Sequence, residues 1–349
     1  MWLGVLWLGG LWVTHPQTSF VMDVANPTGI ALLGVTASGK SAIAHELALR
    51  HSEVEIVSVD SMCVYRGMDI GTAKPTRQEQ NEVRYHLLDL VDPWEEFTVS
   101  QFQSVAKGAI SEILGRGHLP LLVGGTGLYL RSIIDDLKLP GRWPHIAAQL
   151  EAVADADGAL DEESKGSSGR GLGYLYSLLS ELDPIAAERI TPNNSRRIVR
   201  ALEVTIGSGR AFSSFGPGLG AYPPTSYQLI GLTWDPVIAD ARIEERMQIL
   251  LERGFLDEVS NLLSNSAGIS KTARQALGYR ELLAHIEQGV ALDDCISQAV
   301  QRTRSFARRQ WAWFRRDPRI HWISPEVDPV EELENAVKAY MGSSQPAKL

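Results

Sequence analysis

Cysteine is nearly absent: Cys63 and Cys295 are the only two in 349 residues, and they lie far apart. That excludes a disulfide framework and suits a reducing compartment, so a cytoplasmic location is expected. The eight histidines show no metal-ligand spacing, and no internal repeat is found. The Trp-rich apolar run at residues 2–13 is shorter than the roughly 20 residues a membrane-spanning helix needs. No basic region precedes it, which argues against a secretory signal. Residues 1–22 are therefore expected to be an extension outside the fold, with Met22 as the natural beginning and a membrane tether as the alternative. Positive charge is not in excess either: the formal net charge is −9, which argues against indiscriminate binding to nucleic acid. A local basic patch remains compatible with that total.

What is present is ordinary for a soluble globular protein, with 44% hydrophobic and 21% charged residues. The length allows one large domain or two smaller ones. The most informative stretch is Gly34-Val35-Thr36-Ala37-Ser38-Gly39-Lys40-Ser41, which fits G-x-x-x-x-G-K-[ST]. It follows the apolar run Ile30-Ala31-Leu32-Leu33 and precedes a helix-like segment, the strand–turn–helix context of a phosphate-binding loop. Glycine lets the backbone curl until several N–H groups face one anion, and the helix N-terminus adds positive potential. Lys40 would meet phosphate oxygens and the Ser41 hydroxyl a bound Mg²⁺. The loop alone suggests a nucleoside triphosphate such as ATP, and does not say whose phosphates it holds.

Short apolar runs at 54–59, 86–93, 119–124 and 229–232 alternate with helical patterns, which predicts a parallel sheet covered by helices on both faces. The run at 229–232 reads as the last strand. Residues 141–191 are richer in Ala, Asp, Glu and Ser, contain a linker-like run at 165–171, and read as a helical insertion. The core is expected over 23–140 and 192–322, with a tail over 323–349, polar and disordered after about 345. The fold class is thus α/β, a P-loop NTPase-like, nucleotide-kinase-like sheet with a helical insertion and a helical C-terminal region.

Beyond the loop, Asp60 ends a neighbouring strand, where an acid assists Mg²⁺, serves as a general base, or closes an Asx-turn. Thr126 lies in a Gly-Gly-Thr-Gly turn, where backbone approaches whatever sits above the sheet. Arg242 and Arg246 stand four apart and could clamp a diphosphate, or be an ordinary surface pair. Residues 271–319 hold ten Lys and Arg against five Asp and Glu. There, Ile296, Val300, Thr303, Phe306, Gln310 and Trp313 fall at core-facing spacing, leaving Arg304, Arg308, Arg315 and Trp311 outward, where they could line phosphates and stack bases or form an ordinary solvated helix face. Arg196, Arg197 and Arg200 make a second basic cluster. Cys63 has no histidine partner that would make it a nucleophile.

Together these pieces resemble the tRNA dimethylallyltransferases, the tRNA isopentenyltransferases of the IPP transferase family. Beyond the loop and Asp60-Ser61-Met62, the matching segments are residues 65–75, ending Asp69-Ile70-Gly71-Thr72-Ala73-Lys74-Pro75, and His86-Leu87-Leu88-Asp89. They continue with Gly124-Gly125-Thr126-Gly127-Leu128-Tyr129, residues 197–204, Gln275-Ala276-Leu277-Gly278-Tyr279, and the arginine-rich run from Thr303 to Arg315. The resemblance covers about 30 to 322. It implies transfer of a dimethylallyl group from dimethylallyl diphosphate to N6 of the adenosine 3′-adjacent to the anticodon of tRNA; no protein partner is implied, and a monomer is expected although the sequence does not give the oligomeric state. It replaces ATP by the donor's diphosphate as cargo of Gly34, Thr36, Ala37, Ser38, Gly39, Lys40 and Ser41, with Mg²⁺ on Ser41. It implies Asp60 as base, Thr126 at the target nucleotide and Arg246 on the diphosphate. It implies tRNA contacts at Asp60, Ser61, Met62, Cys63, Thr126, at Arg196, Arg197, Ile198, Val199, Arg200, and at Arg304 and Arg308, with the 141–191 insertion gripping the anticodon stem. Two positions depart from the family: Val35 stands where Pro is usual, and Cys63 where a Gln recognises the flipped adenine. The rival readings are an adenylate isopentenyltransferase acting on free AMP, ADP or ATP, a small-molecule P-loop kinase, and a non-catalytic RNA-binding module.

Overall fold

Short runs of Val, Ile and Leu with almost no polar interruption suit strands covered on both faces of a parallel sheet. That is what they form. The structure is a computed structural model describing residues 5–8, 11–14, 27–155, 170–233, 235–323 and 328–343. Strands β1 (Val5–Leu8) and β2 (Leu11–Thr14) pair antiparallel as a separate two-stranded sheet. The main sheet draws on β3 (Gly29–Leu33), followed by α1 (Lys40–Arg50), then β4 (Val54–Val59), α2 (Arg77–Glu82) and β5 (Tyr85–His86). Next come α3 (Val99–Gly115), β6 (Leu119–Gly124) and α4 (Gly127–Ile134). A helical stretch follows, with α5 (Pro144–Asp155), α6 (Arg170–Leu182), α7 (Pro184–Arg189) and α8 (Ser195–Ser208). The chain then returns through β7 (Tyr227–Leu232), α9 (Pro236–Glu252), α10 (Phe255–Leu263), α11 (Tyr279–Gln288), α12 (Leu292–Phe314), β8 (His321–Ile323) and α13 (Pro329–Ser343).

The strand order is β5-β4-β6-β3-β7-β8, all parallel, so the strand before the phosphate loop is central. Its core joins Ile30, Leu32, Leu121 and Ile230 from the sheet to Ala44 and Leu47 of α1 and to Leu333, Ala336 and Val337 of α13. Two expectations change here. The last strand is β8 rather than the run at 229–232. The stretch expected as a tail after 322 supplies its final residue and a helix of the main core, with 324–327 and 344–349 outside the described residues.

The chain divides into two compact units: one of Met1–Phe97, Ser104–Leu130 and Thr225–Leu349, and a helical one of Thr98–Gln103 and Arg131–Pro224. The helical unit is wider than the 141–191 insertion read from composition. Asn194 caps α8 by accepting the Arg197 N–H at 3.3 Å. The apolar face of that helix, Ile198, Val199, Ala201 and Leu202, packs with Leu150, Leu175 and Leu179 of α5 and α6. Of the linker-like run at 165–171, residues 165–169 lie outside the described residues and 170–171 begin α6. Among the described residues no helix is long and apolar enough to cross a membrane.

Candidate active site

Register places the site. Val59, Gly124, Leu33, Gly231 and Trp322 form one row across β4, β6, β3, β7 and β8. One residue further on, Asp60, Gly125 and Gly34 therefore leave the same edge of the sheet. Carboxyl ends of parallel strands are where such sheets hold ligands.

Past Leu33 the chain turns through Ala37 and Gly39, both left-handed at φ 61° and 88°, and the Ser38 N–H donates to the Val35 carbonyl at 3.3 Å. Helix α1 begins at Lys40, and its first amides have no intrahelical acceptor. The Ser38 hydroxyl is buried, with no hydrogen-bond partner among the described residues. An orphaned hydroxyl beside free helix amides is a set that an anionic oxygen would satisfy. Lys40 is half-buried and donates from Nζ to the Val35 carbonyl at 3.1 Å. Burial and the Arg246 charge bring its pKa down to about 8, while the Asp60 charge acts the other way.

Asp60 is half-buried, and its Oδ1 accepts the N–H groups of Met62 (2.7 Å) and Cys63 (3.3 Å). The Asx-turn and the functional reading thus coexist: one oxygen closes the turn, and Oδ2 has no hydrogen bond among the described residues. Thr126 precedes α4, and its Oγ1 accepts the Ser61 N–H at 3.4 Å. The two arginines of α9 differ in exposure. Arg246 is half-buried, its pKa lowered by burial against the pull of Asp60, whereas Arg242 is exposed. Phosphate loop, acid, threonine and arginine are thus all in the sheet-containing unit, and the loop's lysine, the acid and Arg246 share one electrostatic neighbourhood.

Cys63 is buried, its thiol donating to the Thr72 carbonyl at 4.0 Å. Burial, then the Asp60 charge, push its pKa up, so it stays a thiol and is no nucleophile. The loop it touches, 69–75, is pinned from two sides. Glu258 of α10 accepts the N–H groups of Asp69 (2.8 Å), Ile70 (2.6 Å) and Gly71 (3.1 Å) and the Tyr279 hydroxyl (2.5 Å). The buried Lys74 ammonium donates to the Tyr65 carbonyl (2.8 Å), Asp69 (2.5 Å) and Asp89 (2.7 Å).

The face of α12 is turned from the one expected. Cys295, Ala299, Val300, Ala307, Gln310 and Phe314 are buried, while Ile296, Thr303, Phe306 and Trp313 are half-buried. Small alanines allow the close approach that the larger side chains were expected to fill. Arg304 is accordingly not outward: it donates to the Asp240 carbonyl (3.2 Å) and Glu244 (2.6 Å) of α9, and Arg308 donates to Asp240 at 2.9 Å. Trp311 packs edge-on against Trp322, and Arg315 is exposed. On α8, Arg196 and Arg197 are exposed, whereas Ile198 and Val199 are core residues. Arg200 is held by Glu203 (2.7 Å) and by the Pro140 and Gly141 carbonyls (2.9 and 3.0 Å). Sequence reasoning missed Glu258, which beside Asp257 in the first turn of an amphipathic helix gives no local signal, and saw Gln310 only as core-facing.

A phosphate loop on the central strand of a parallel sheet, with an acid, a threonine and an arginine at neighbouring strand ends, defines an α/β phosphate-loop protein built for group transfer. The model of the IPP transferase family matches residues 63–317, and the chain belongs to that family. It is 42% identical over 299 residues to the tRNA dimethylallyltransferase of Bifidobacterium animalis subsp. lactis, covering 84% of this chain and 82% of that one. It is 40% identical over 301 residues to the tRNA dimethylallyltransferase of Desulforudis audaxviator, covering 86% and 93%. Among solved structures, the full-length tRNA isopentenylpyrophosphate transferase from Bacillus halodurans matches with a TM-score of 0.63 at 34% identity, covering 90% of this chain and 96% of that one. A eukaryotic dimethylallyltransferase acting on tRNA matches with a TM-score of 0.70 at 25% identity, covering 92% and 81%.

Proposed function

We infer that the chain is a tRNA dimethylallyltransferase, moving the dimethylallyl group of dimethylallyl diphosphate to N6 of the adenosine 3′-adjacent to the anticodon. The observation that carries this reading is the shared strand-end edge, which brings an anion-binding loop beside an acid with one uncommitted oxygen. The N6 lone pair forms a bond to the first carbon of the donor as the carbon–oxygen bond breaks. The electron pair leaves with the diphosphate, and the N6 proton passes to Asp60 Oδ2. Lys40, the α1 amides, the Ser38 hydroxyl and Arg246 hold the leaving diphosphate, whose negative charge grows in the transition state. Among the described residues no cluster of three His, Cys, Asp or Glu could hold a metal ion. The oxygen donor of Ser41 together with diphosphate oxygens and water suits Mg²⁺, which would neutralise leaving-group charge.

The adenine must leave its stack to reach the edge of the sheet. Thr126 and the 60–63 turn would receive it; the buried Cys63 thiol, a weak hydrogen-bonding group, contributes less than an amide. Arg196, Arg197 and Arg308 are the exposed cations proposed to meet tRNA phosphates. Arg200 and Arg304 act by holding helices, and Ile198 and Val199 by packing α8. The helical unit would grip the anticodon stem, and the enzyme works as a cytoplasmic monomer.

The test is acceptor choice: the full chain with labelled dimethylallyl diphosphate, Mg²⁺ and either anticodon stem-loop RNA or AMP. Label is expected on RNA alone; label on AMP alone would make it an adenylate enzyme. Asp60→Asn keeps the Oδ1 acceptor of the turn but cannot take a proton, so turnover should fall roughly 100- to 10,000-fold with RNA still bound.

A further inference from the structure

Gln310 is a buried polar side chain, and both ends of its carboxamide are in use. The Thr36 N–H donates to Oε1 at 2.8 Å, and Nε2 donates to the Gly125 carbonyl at 2.9 Å. The orientation of the amide follows from its partners, because a backbone N–H cannot accept and a carbonyl oxygen cannot donate. A β-carbon at Gly125 would collide with Gln310 Nε2, and one at Gly127 with the indole of Trp313, about one turn further along α12. The 124–127 turn is thus fitted to this helix. On its far side, Thr126 Oγ1 accepts the N–H of Ser61, the neighbour of Asp60. Hydrogen bonds and adjacent residues therefore run without a break from Thr36 in the phosphate loop, through Gln310, to Gly125 and Thr126, and on to Ser61 and Asp60.

We propose that Gln310 is a positioning residue for the transfer: it fixes the separation between the loop that holds the donor and the turn that carries the base. It touches neither substrate. The inference rests on the reading of residues 34–41 as the donor's site. Each substrate's affinity is set by its own loop, whereas the rate depends on how the two loops stand relative to each other. A misplacement of about 1 Å between reacting groups costs on the order of 100-fold in rate. Loss of the tie should therefore appear in kcat and not in binding.

Two variants of the full chain test this, Gln310→Met and Gln310→Glu. Dimethylallyl diphosphate binding gives the number of binding-competent chains, and prenyl transfer to anticodon stem-loop RNA gives kcat per competent chain. Gln310→Met, of similar length but with no amide, should bind donor within about threefold of the unaltered chain and lose roughly 10- to 100-fold in kcat. In Gln310→Glu, a protonated carboxyl can accept from Thr36 and donate to Gly125, whereas an ionised one cannot donate. Its kcat relative to the unaltered chain should rise as pH is lowered, a rescue that a packing role would not produce. The proposal is overturned if kcat per competent chain is unchanged in Gln310→Met, or if the loss is fully accounted for by fewer donor-binding chains. It is equally overturned if Gln310→Glu tracks the unaltered chain at every pH. An unaltered chain that binds no dimethylallyl diphosphate would instead overturn the donor reading itself.

Discussion

Lys40 is a cation held where charge is costly, and the cost is useful only once an anion arrives. Its pKa of about 8 means that the site without donor begins to lose this charge just above neutrality. Donor affinity measured by calorimetry across a pH series should be level below about 8 and weaken above it, approaching tenfold per pH unit. In Lys40→Arg, whose guanidinium stays charged, that weakening should vanish. For stability the sign reverses. The folded-state pKa lies below the ordinary 10.5, so the unfolded chain binds more protons between about 8 and 10.5. Stability attributable to this group therefore rises with pH across that window. Lys40, Asp60, Thr126 and Arg246 were readable because each sits in, or four residues from, a recognisable pattern. Gln310 was not, because a glutamine at helical spacing says nothing of the amide and carbonyl it will meet. The ion pairs of Arg304 and Arg308 were hidden for the same reason: their acids, Asp240 and Glu244, lie on another helix.

At the scale of elements, β3, β4 and β6 were legible because buried parallel strands are continuous apolar runs. Strand β8 was not, since three residues with an exposed histidine give no period, and α13 was lost with it. The rotation of α12 shows the limit of periodicity, which fixes that a face is buried but leaves its edge ambiguous by one residue. Far from the active edge, Glu55 near the start of β4 ties strand and helix together. It accepts from Arg116 (3.0 and 2.8 Å) after α3, and meets His86 of β5 (2.6 Å) and His118 (2.8 Å). Burial pushes its pKa up, but Arg116 and His86 outweigh burial and hold it at about 2. A lowered carboxylate pKa stabilises the fold above the ordinary value of 4.5 and stops doing so as pH falls towards 2. Glu55→Gln should therefore cost about 1–2 kcal/mol in urea unfolding at pH 7, with the difference closing between about pH 4.5 and 2.

Over the whole molecule, composition located a helical region but not its extent. The basic face of α8 looked like a return to the catalytic core, whereas its apolar face belongs with α5 and α6, a choice that only packing decides. The acidic total of −9 coexists with exposed arginines on α8 and α12, which is why net charge excluded indiscriminate binding and left RNA as a partner. The central claim is that the phosphate loop serves an isoprenoid donor and that the nucleotide arrives as RNA. One reaction tests it: the full chain, Mg²⁺ and anticodon stem-loop RNA, with carbon-labelled dimethylallyl diphosphate and γ-phosphate-labelled ATP supplied together. The expected result is carbon label on adenosine N6 of the RNA, with the ATP label left in place. Movement of the γ-phosphate to an acceptor while the dimethylallyl group stays on its diphosphate would contradict it.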